Sequence, residues 1–228
     1  YREEMARRFV VVDPEERQRA FAAAAARLVA EAGCRLHPDD ELMAEHVELV
    51  EHPGLLLGGF DEAFLELPRE VVITTLRHHQ KCLVLEREDA TLAPYFLAVV
   101  DRRDDPEGLV RQGNEWVIGA RLADARFFFN EDRKRPLDAL VPGLARLEFH
   151  RRLGSVADKA ARVGALAAAM AEQIGSTVAA VELERAAPLV KADLLTGMVV
   201  EFTELQGVMG GHYLRLAGEP EALWTAAR

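Results

Sequence analysis

The hydrophobic and polar positions change rhythm along this chain. Asp13 stands as a helix cap, Pro14 takes the first helical position, and Glu15 and Glu16 face the positive end of the dipole. A helix is therefore expected through FAAAAARLVAEA to Gly33. A second is expected to start near Pro38-Asp39-Asp40 and cover ELMAEHVELVE, with Leu42, Val47, Leu49 and Val50 as its apolar positions. His46 and His52 share no helical face and read as solvated or capping groups. After Pro53 the apolar runs become short and are set off by glycine and proline. LLLGGF, AFLEL, VVITTL at 71–76, KCLVLE at 81–86 and APYFLAVVD at 93–101 predict a small β-rich unit.

The most patterned stretch is GNEWVIGARLADARFFFNED, Gly113 to Asp132. Asn114 can cap a helix, and Trp116, Ala120, Ala123 and Phe127 recur at i, i+4, i+7 and i+11. That spacing predicts a buried face through Trp116, Ala123 and Phe127, and Arg121 can meet Asp124 beside it. Asn130, the charged run to Arg135 and then Pro136 stop the helix. Beyond Pro136 only helical spacing is visible. Ser155 caps one helix, whose stripe is Val156, Val163, Leu166, Ala167 and Met170, and Gly175 closes it. A further helical pattern runs from Ser176 to Phe202. The glycine-rich QGVMGGHY at 206–213 fits no helix and reads as a loop. The composition break near residues 132–145 divides an α+β module, residues 1–135, from an all-α module, residues 136–228.

Composition adds further constraints. Two unpatterned cysteines, Cys34 and Cys82, suggest a reducing cytoplasm and neither a disulfide framework nor a zinc site. No apolar run approaches a membrane span, and no signal peptide is visible. The net charge of −10 argues against non-specific nucleic-acid binding. The charge is uneven, however: residues 102–162 hold 13 Lys+Arg against 10 Asp+Glu, while the rest is strongly acidic. A positive middle in an acidic chain fits a partner that touches one region.

Two sets of residues suggest chemistry. His78, His79 and Lys81 lie between two expected strands. Alternation along a strand turns the histidines apart, so a solvated turn is the default and a phosphate contact the alternative. The basic set Arg111, Arg121, Arg126, Arg133, Lys134 and Arg135 continues to Arg151 and Arg152. Arginine's planar fork suits phosphate, although a charge run is commonly a solvated face. No GxxxxGK[ST] phosphate loop and no nucleophile elbow is present.

Four stretches carry a resemblance: VVITTLRHHQKCLVL at 71–85, GNEWVIGARLADARFFFNEDRKRPL, FHRRLGSVADKAARV at 149–163, and KADLLTGMVVEFTELQGVMGGHY at 191–213. In this order they resemble the glycyl-tRNA synthetase β subunit, the larger chain of a bacterial α2β2 enzyme. The family chain is about three times longer, so the sequence reads as an internal piece without the family N-terminus or anticodon-binding tail. The resemblance implies a first module similar to a β-rich, editing-associated domain of phenylalanyl-tRNA synthetase. It implies a second module similar to HD-type metal phosphohydrolases. Fold analogy alone transfers no activity.

An HD hydrolase needs a histidine, a later His-Asp pair and a further aspartate around one or two metals. His150 is the candidate first histidine and Asp193 the pair's aspartate. Ala192, however, stands at the pair's histidine position, with Lys191 beside it. No metal site and no catalytic residue is therefore expected. Lys191 and Asp193 are expected to support their helix and the facing GGHY segment. The resemblance implies the α subunit and tRNA for glycine as partners, a cytoplasmic location and no membrane. ATP and Mg2+ belong to the complete enzyme and no cofactor to this piece. The expected role is to position tRNA for aminoacylation by the α subunit. A metal-dependent HD phosphohydrolase and a tRNA-editing hydrolase are the alternatives. The expected tRNA contacts are Arg133, Lys134, Arg135, Arg151 and Arg152, which cluster near the module junction.

Overall fold

The computed structural model describes residues 1–228, which divide into two compact units, Tyr1–Asp124 and Ala125–Arg228. The first unit begins with helix α1 (Arg2–Arg7) and helix α2 (Pro14–Glu31). Asp13 caps α2 as its sequence predicts, accepting from the backbone N–H groups of Glu15 and Glu16. Strand β1 (Arg35–Leu36), helix α3 (Asp40–Leu49) and strand β2 (Gly54–Gly59) follow. Helix α4 (Arg69–Thr74) leads to strands β3 (Leu83–Glu86) and β4 (Leu92–Val100). The four strands pair antiparallel in the order β1-β3-β4-β2.

Helices α2 and α3 cover one face of this sheet through Phe21, Ala25, Leu28, Leu42 and Val47, which pack with Leu55, Leu83, Leu85 and Leu97. The alternate residues Val84, Phe96 and Ala98 are buried as well, so the sheet is covered on both faces. That explains why its strands read as continuous apolar runs and not as alternating ones. At Gly58 a Cβ would lie 2.3 Å from the Phe96 ring, so only glycine admits that ring.

Four sequence expectations fail in this unit. VVITTL is not a strand: Val71 and Val72 lie in α4, which continues as a turn of π-helix over Thr75–His79. Val71, Val72 and Leu76 are fully buried, and burial worth about 1.5–3 kcal/mol per side chain exceeds the few tenths that β-branched residues lose in a helix. AFLEL is a 3-10 turn, Glu62–Glu66, capped by Asp61. His46 is neither solvated nor a cap. It is buried against Phe21, and its Nε2 lies 2.7 Å from the Lys81 carbonyl oxygen. Burial pushes the His46 ring below its ordinary pKa, which leaves a neutral imidazole whose Nε2–H donates to that carbonyl.

The fourth correction concerns helix α5 (Leu109–Asp132), which crosses the division between the units. Asp105, not Asn114, caps it, accepting from the N–H groups of Val110 and Arg111. The predicted face is outside: Trp116 is 76% and Phe127 59% exposed. The buried residues are Ile118, Leu122, Ala125 and Phe129. They repeat the same i, i+4, i+7, i+11 spacing two positions on, about 200° around the helix. Two apolar stripes lie on opposite sides of α5, and periodicity alone cannot choose between them.

The second unit is mainly helical, but the stretch from Leu137 to Gly154, read from its spacing as helical, forms short 3-10 turns and then a hairpin. Strands β5 (Glu148–His150) and β6 (Gly154–Ser155) pair antiparallel. Helices α6 (Val156–Gln173), α7 (Ala180–Leu189), α8 (Gly197–Glu201), α9 (Val208–Leu216) and α10 (Glu221–Ala227) follow. Ser155 caps α6, and Asp158 returns the bond in a capping box. The expected α6 stripe is again outside, with Val163, Leu166 and Met170 exposed. Its buried residues are Ala160 and Gly164; a Cβ at Gly164 would meet Glu184 Cα at 3.1 Å and Ala187 Cβ at 3.3 Å. Close helix approach through small residues wins over the larger stripe. The segment read as a glycine-rich loop is the start of α9, where Gly210 and Gly211 are buried.

Candidate nucleic-acid interface

The expected contacts fall on two structures of the second unit. Arg133, Lys134 and Arg135 follow directly on α5. Asp132, the last residue of α5, accepts from the N–H of Gly197 at 2.8 Å and of Met198 at 2.9 Å, and from the Tyr213 hydroxyl at 3.0 Å. It thereby caps α8 and holds the end of α5. Burial, then the Asp132 carboxylate, raises the Tyr213 phenol above its ordinary pKa, so it stays a donor. The Phe129 and Tyr213 rings stack with centroids 6.0 Å apart, and the Arg133 guanidinium lies 5.2 Å from the Phe129 centroid. Arg133, Lys134 and Arg135 line a cavity of about 320 Å³ with Tyr213 and Leu216. Lys134 is paired with Glu131, whereas Arg135 makes no ion pair.

Arg151 and Arg152 occupy the tip of the β5–β6 hairpin. The turn closes with the Leu153 N–H donating to the His150 carbonyl at 3.0 Å. Gly154 has φ +87°, and a Cβ there would lie 2.3 Å from the Asp158 carboxylate. The hairpin therefore requires glycine at this position. Asp158 accepts from the Ser155 N–H at 2.7 Å and hydroxyl at 2.8 Å, which holds its carboxyl below the ordinary range. Arg151 and Arg152 make no ion pair and are exposed. Arg146, His150 and Arg151 line an open depression beside the turn. No hydrogen bond or shared cavity joins the 133–135 run to the hairpin.

The histidine pair behaves differently. His78 and His79 end the π-helical turn, not a strand hairpin. Arg77 donates to Asp39 at 2.5 Å and to Glu41 at 2.7 Å, and lies 3.2 Å from His78. Arg121 Nη2 donates to His79 Nδ1 at 2.7 Å. Lys81 pairs with Glu45 at 2.9 Å. These groups serve the fold.

Asp193 is fully buried, and its Oδ2 accepts from the N–H of Gly207 at 2.5 Å and of Gly210 at 3.1 Å. It supports the GGHY segment as expected, acting on the first turn of α9. Burial raises its pKa against the lowering by those two N–H groups. Its Oδ1 has no hydrogen-bond partner. Ala192 beside it offers no donor atom, so the pair is reduced to this one carboxylate, whose Oδ2 is already taken by two backbone N–H groups.

Comparison with known proteins accounts for the shared motifs. The family model described as glycyl-tRNA synthetase beta subunit matches residues 1–228. The chain is 43% identical over 220 residues to the glycine–tRNA ligase beta subunit of Syntrophotalea carbinolica, covering 96% of this chain and 32% of that one. It is 44% identical over 222 residues to that of Anaeromyxobacter dehalogenans, covering 97% and 32%. With that of Streptococcus pneumoniae it shares 40% identity over 229 residues, covering 100% and 34%. The chain thus spans about a third of the length of these relatives. It belongs to the glycyl-tRNA synthetase beta subunit family.

Proposed function

We propose that this chain is part of the β subunit of an α2β2 glycine–tRNA ligase and helps to position tRNA for aminoacylation by the α subunit. The carrying observation is the state of Arg135, Arg151 and Arg152: they stand on braced backbone, carry charge and have no carboxylate partner. Phosphates are the ligand class that suits such a set, because the guanidinium fork matches their oxygens. Contacts of this kind orient a folded RNA without reading its sequence. In this reading ATP, Mg2+ and glycine are handled by the α subunit of a cytoplasmic enzyme, and this region has no catalytic role. No helix is long and apolar enough to cross a membrane.

The domain assignments belong to the same proposal. Residues 1–135 are read as related to the editing-associated domain of phenylalanyl-tRNA synthetase, supported by the antiparallel sheet. Residues 136–228 are read as an HD-like module without metal chemistry, supported by Ala192 and by the use of Asp193 as a helix cap.

The test is charge reversal in the full-length assembled enzyme, with Arg133, Lys134 and Arg135 changed to Glu in one variant and Arg151 and Arg152 in another. Each variant is expected to raise the apparent KM for tRNA by about tenfold or more, since several phosphate contacts are lost. Wild-type KM values in both variants, at unchanged melting temperature, would refute the assignment.

A further inference from the structure

The hairpin carries more than its two arginines. Phe149 is 42% exposed and Leu153 53% exposed, on either side of the Arg151-Arg152 tip. Such residues on a loose loop would mean little. This turn is fixed by the His150–Leu153 hydrogen bond, by the left-handed Gly154 and by the Asp158 carboxylate on Ser155. The Lys159 ammonium lies 4.2 Å from the Phe149 ring centroid, adding a third cation at the same place. The carboxylates nearby are Glu148, which is exposed, and Asp158, which is committed to Ser155. A rigid projection that sets two arginines without ion pairs between exposed apolar side chains matches a ligand that presents apolar surface beside anionic groups. A nucleic acid with accessible bases has that character. A regular A-form duplex offers side chains only phosphates, hydroxyls and base edges, so the apolar pair needs an unpaired base or an exposed terminal pair.

We propose that the β5–β6 hairpin contacts bases: Phe149 and Leu153 take unpaired or terminal bases of a folded RNA while Arg151 and Arg152 hold the adjoining phosphates. The inference rests on the reading of this unit as an RNA-binding surface, and the two make separable predictions. Stacking on an aromatic ring releases no counterions, whereas each phosphate contact does. Phe149→Ala in the full-length assembled enzyme should therefore weaken tRNA binding at least fivefold at every salt concentration without changing the salt slope. Phe149→Trp should restore the affinity, and Leu153→Ala should weaken it in the same direction. Arg151→Ala with Arg152→Ala should instead flatten the slope.

The direct probe is a blunt RNA duplex compared with the same duplex carrying an unpaired 3′ overhang. The wild-type enzyme should prefer the overhang, and Phe149→Ala should erase that preference. If Phe149→Ala keeps both affinity and preference while the arginine variants flatten the slope, the base contact is refuted and the phosphate reading stands. If neither kind of variant changes RNA binding, both fail. Loss of subunit assembly in Phe149→Ala, with RNA affinity unchanged per assembled enzyme, would show that the hairpin packs on protein and would also overturn the proposal.

Discussion

Two regions of the molecule use arginine in opposite ways. At the edge of the four-stranded sheet, Arg35, Arg69 and His37 converge on Glu86, whose side chain is only 2% exposed. Burial alone would raise that carboxyl. Hydrogen bonds from His37, Arg69 and Arg35 outweigh it and hold the Glu86 pKa below the ordinary value of 4.5. Arg77 is similarly committed to Asp39 and Glu41. In the second unit, by contrast, Arg135, Arg151 and Arg152 stand on braced backbone with no ion pair. Sequence alone presents all of these as scattered basic residues. Geometry separates those spent on folding from those left for a polyanion.

The scaffold beneath the free cations should matter more than the cations themselves. Phe129 is 8% exposed and supports Arg133, so Phe129→Ala should cost about 3–5 kcal/mol in thermal or denaturant unfolding. Phe127→Ala, two residues away and 59% exposed, should cost less than about 1 kcal/mol. Equal costs would mean that the buried stripe of α5 is misassigned.

Next in size is the paired region. Glu86→Ala should cost about 1–3 kcal/mol, the range for lost hydrogen bonds to a charged group; half-exposed Arg35 and Arg69 regain water and limit the loss. The sign with pH follows from the lowered pKa. The stabilisation is present above the ordinary carboxylate value and is lost as pH falls through the lower folded value. Glu86→Gln should flatten the acid limb of the stability curve below about pH 4.5. An unchanged acid limb would show that this cluster does not report on folding.

Comparable in size is Gly154→Ala. A non-glycine residue at φ +87° in contact with Asp158 should cost about 1–3 kcal/mol and weaken RNA binding although no charge is removed. Full RNA affinity in that variant would mean that the hairpin conformation is irrelevant to binding.

The legible parts of the fold were those with local causes. Asp13 and Ser155 cap helices through groups two or three residues away, and β3 and β4 are apolar runs bounded by turns. Where two local signals competed, burial decided, as in α4 and on the two stripes of α5. Strands of three and two residues, β5 and β6, lie below any periodic signal, although the FHRRLGS motif marked the place. Ion pairing was illegible for a different reason. Arg77 meets Asp39 across 38 positions and Arg35 meets Glu86 across 51, so no spacing rule reveals which arginines are spoken for.

The smallest stability effect goes with the most direct test. Arg151→Ala with Arg152→Ala should change unfolding by less than about 0.5 kcal/mol, as surface substitutions without partners do. Arg185 is the control. It is paired with Glu219 and Asp138, and hydrogen bonding to Glu219 raises its pKa above the ordinary value. The decisive measurement is the slope of log binding constant against log salt for tRNA and the full-length assembled enzyme. The double variant should flatten that slope by about 1.4–1.8, and Arg185→Ala should leave it unchanged. Identical slopes in wild type and double variant, or an equal loss in Arg185→Ala, would contradict the claim that the unpaired arginines are the phosphate contacts.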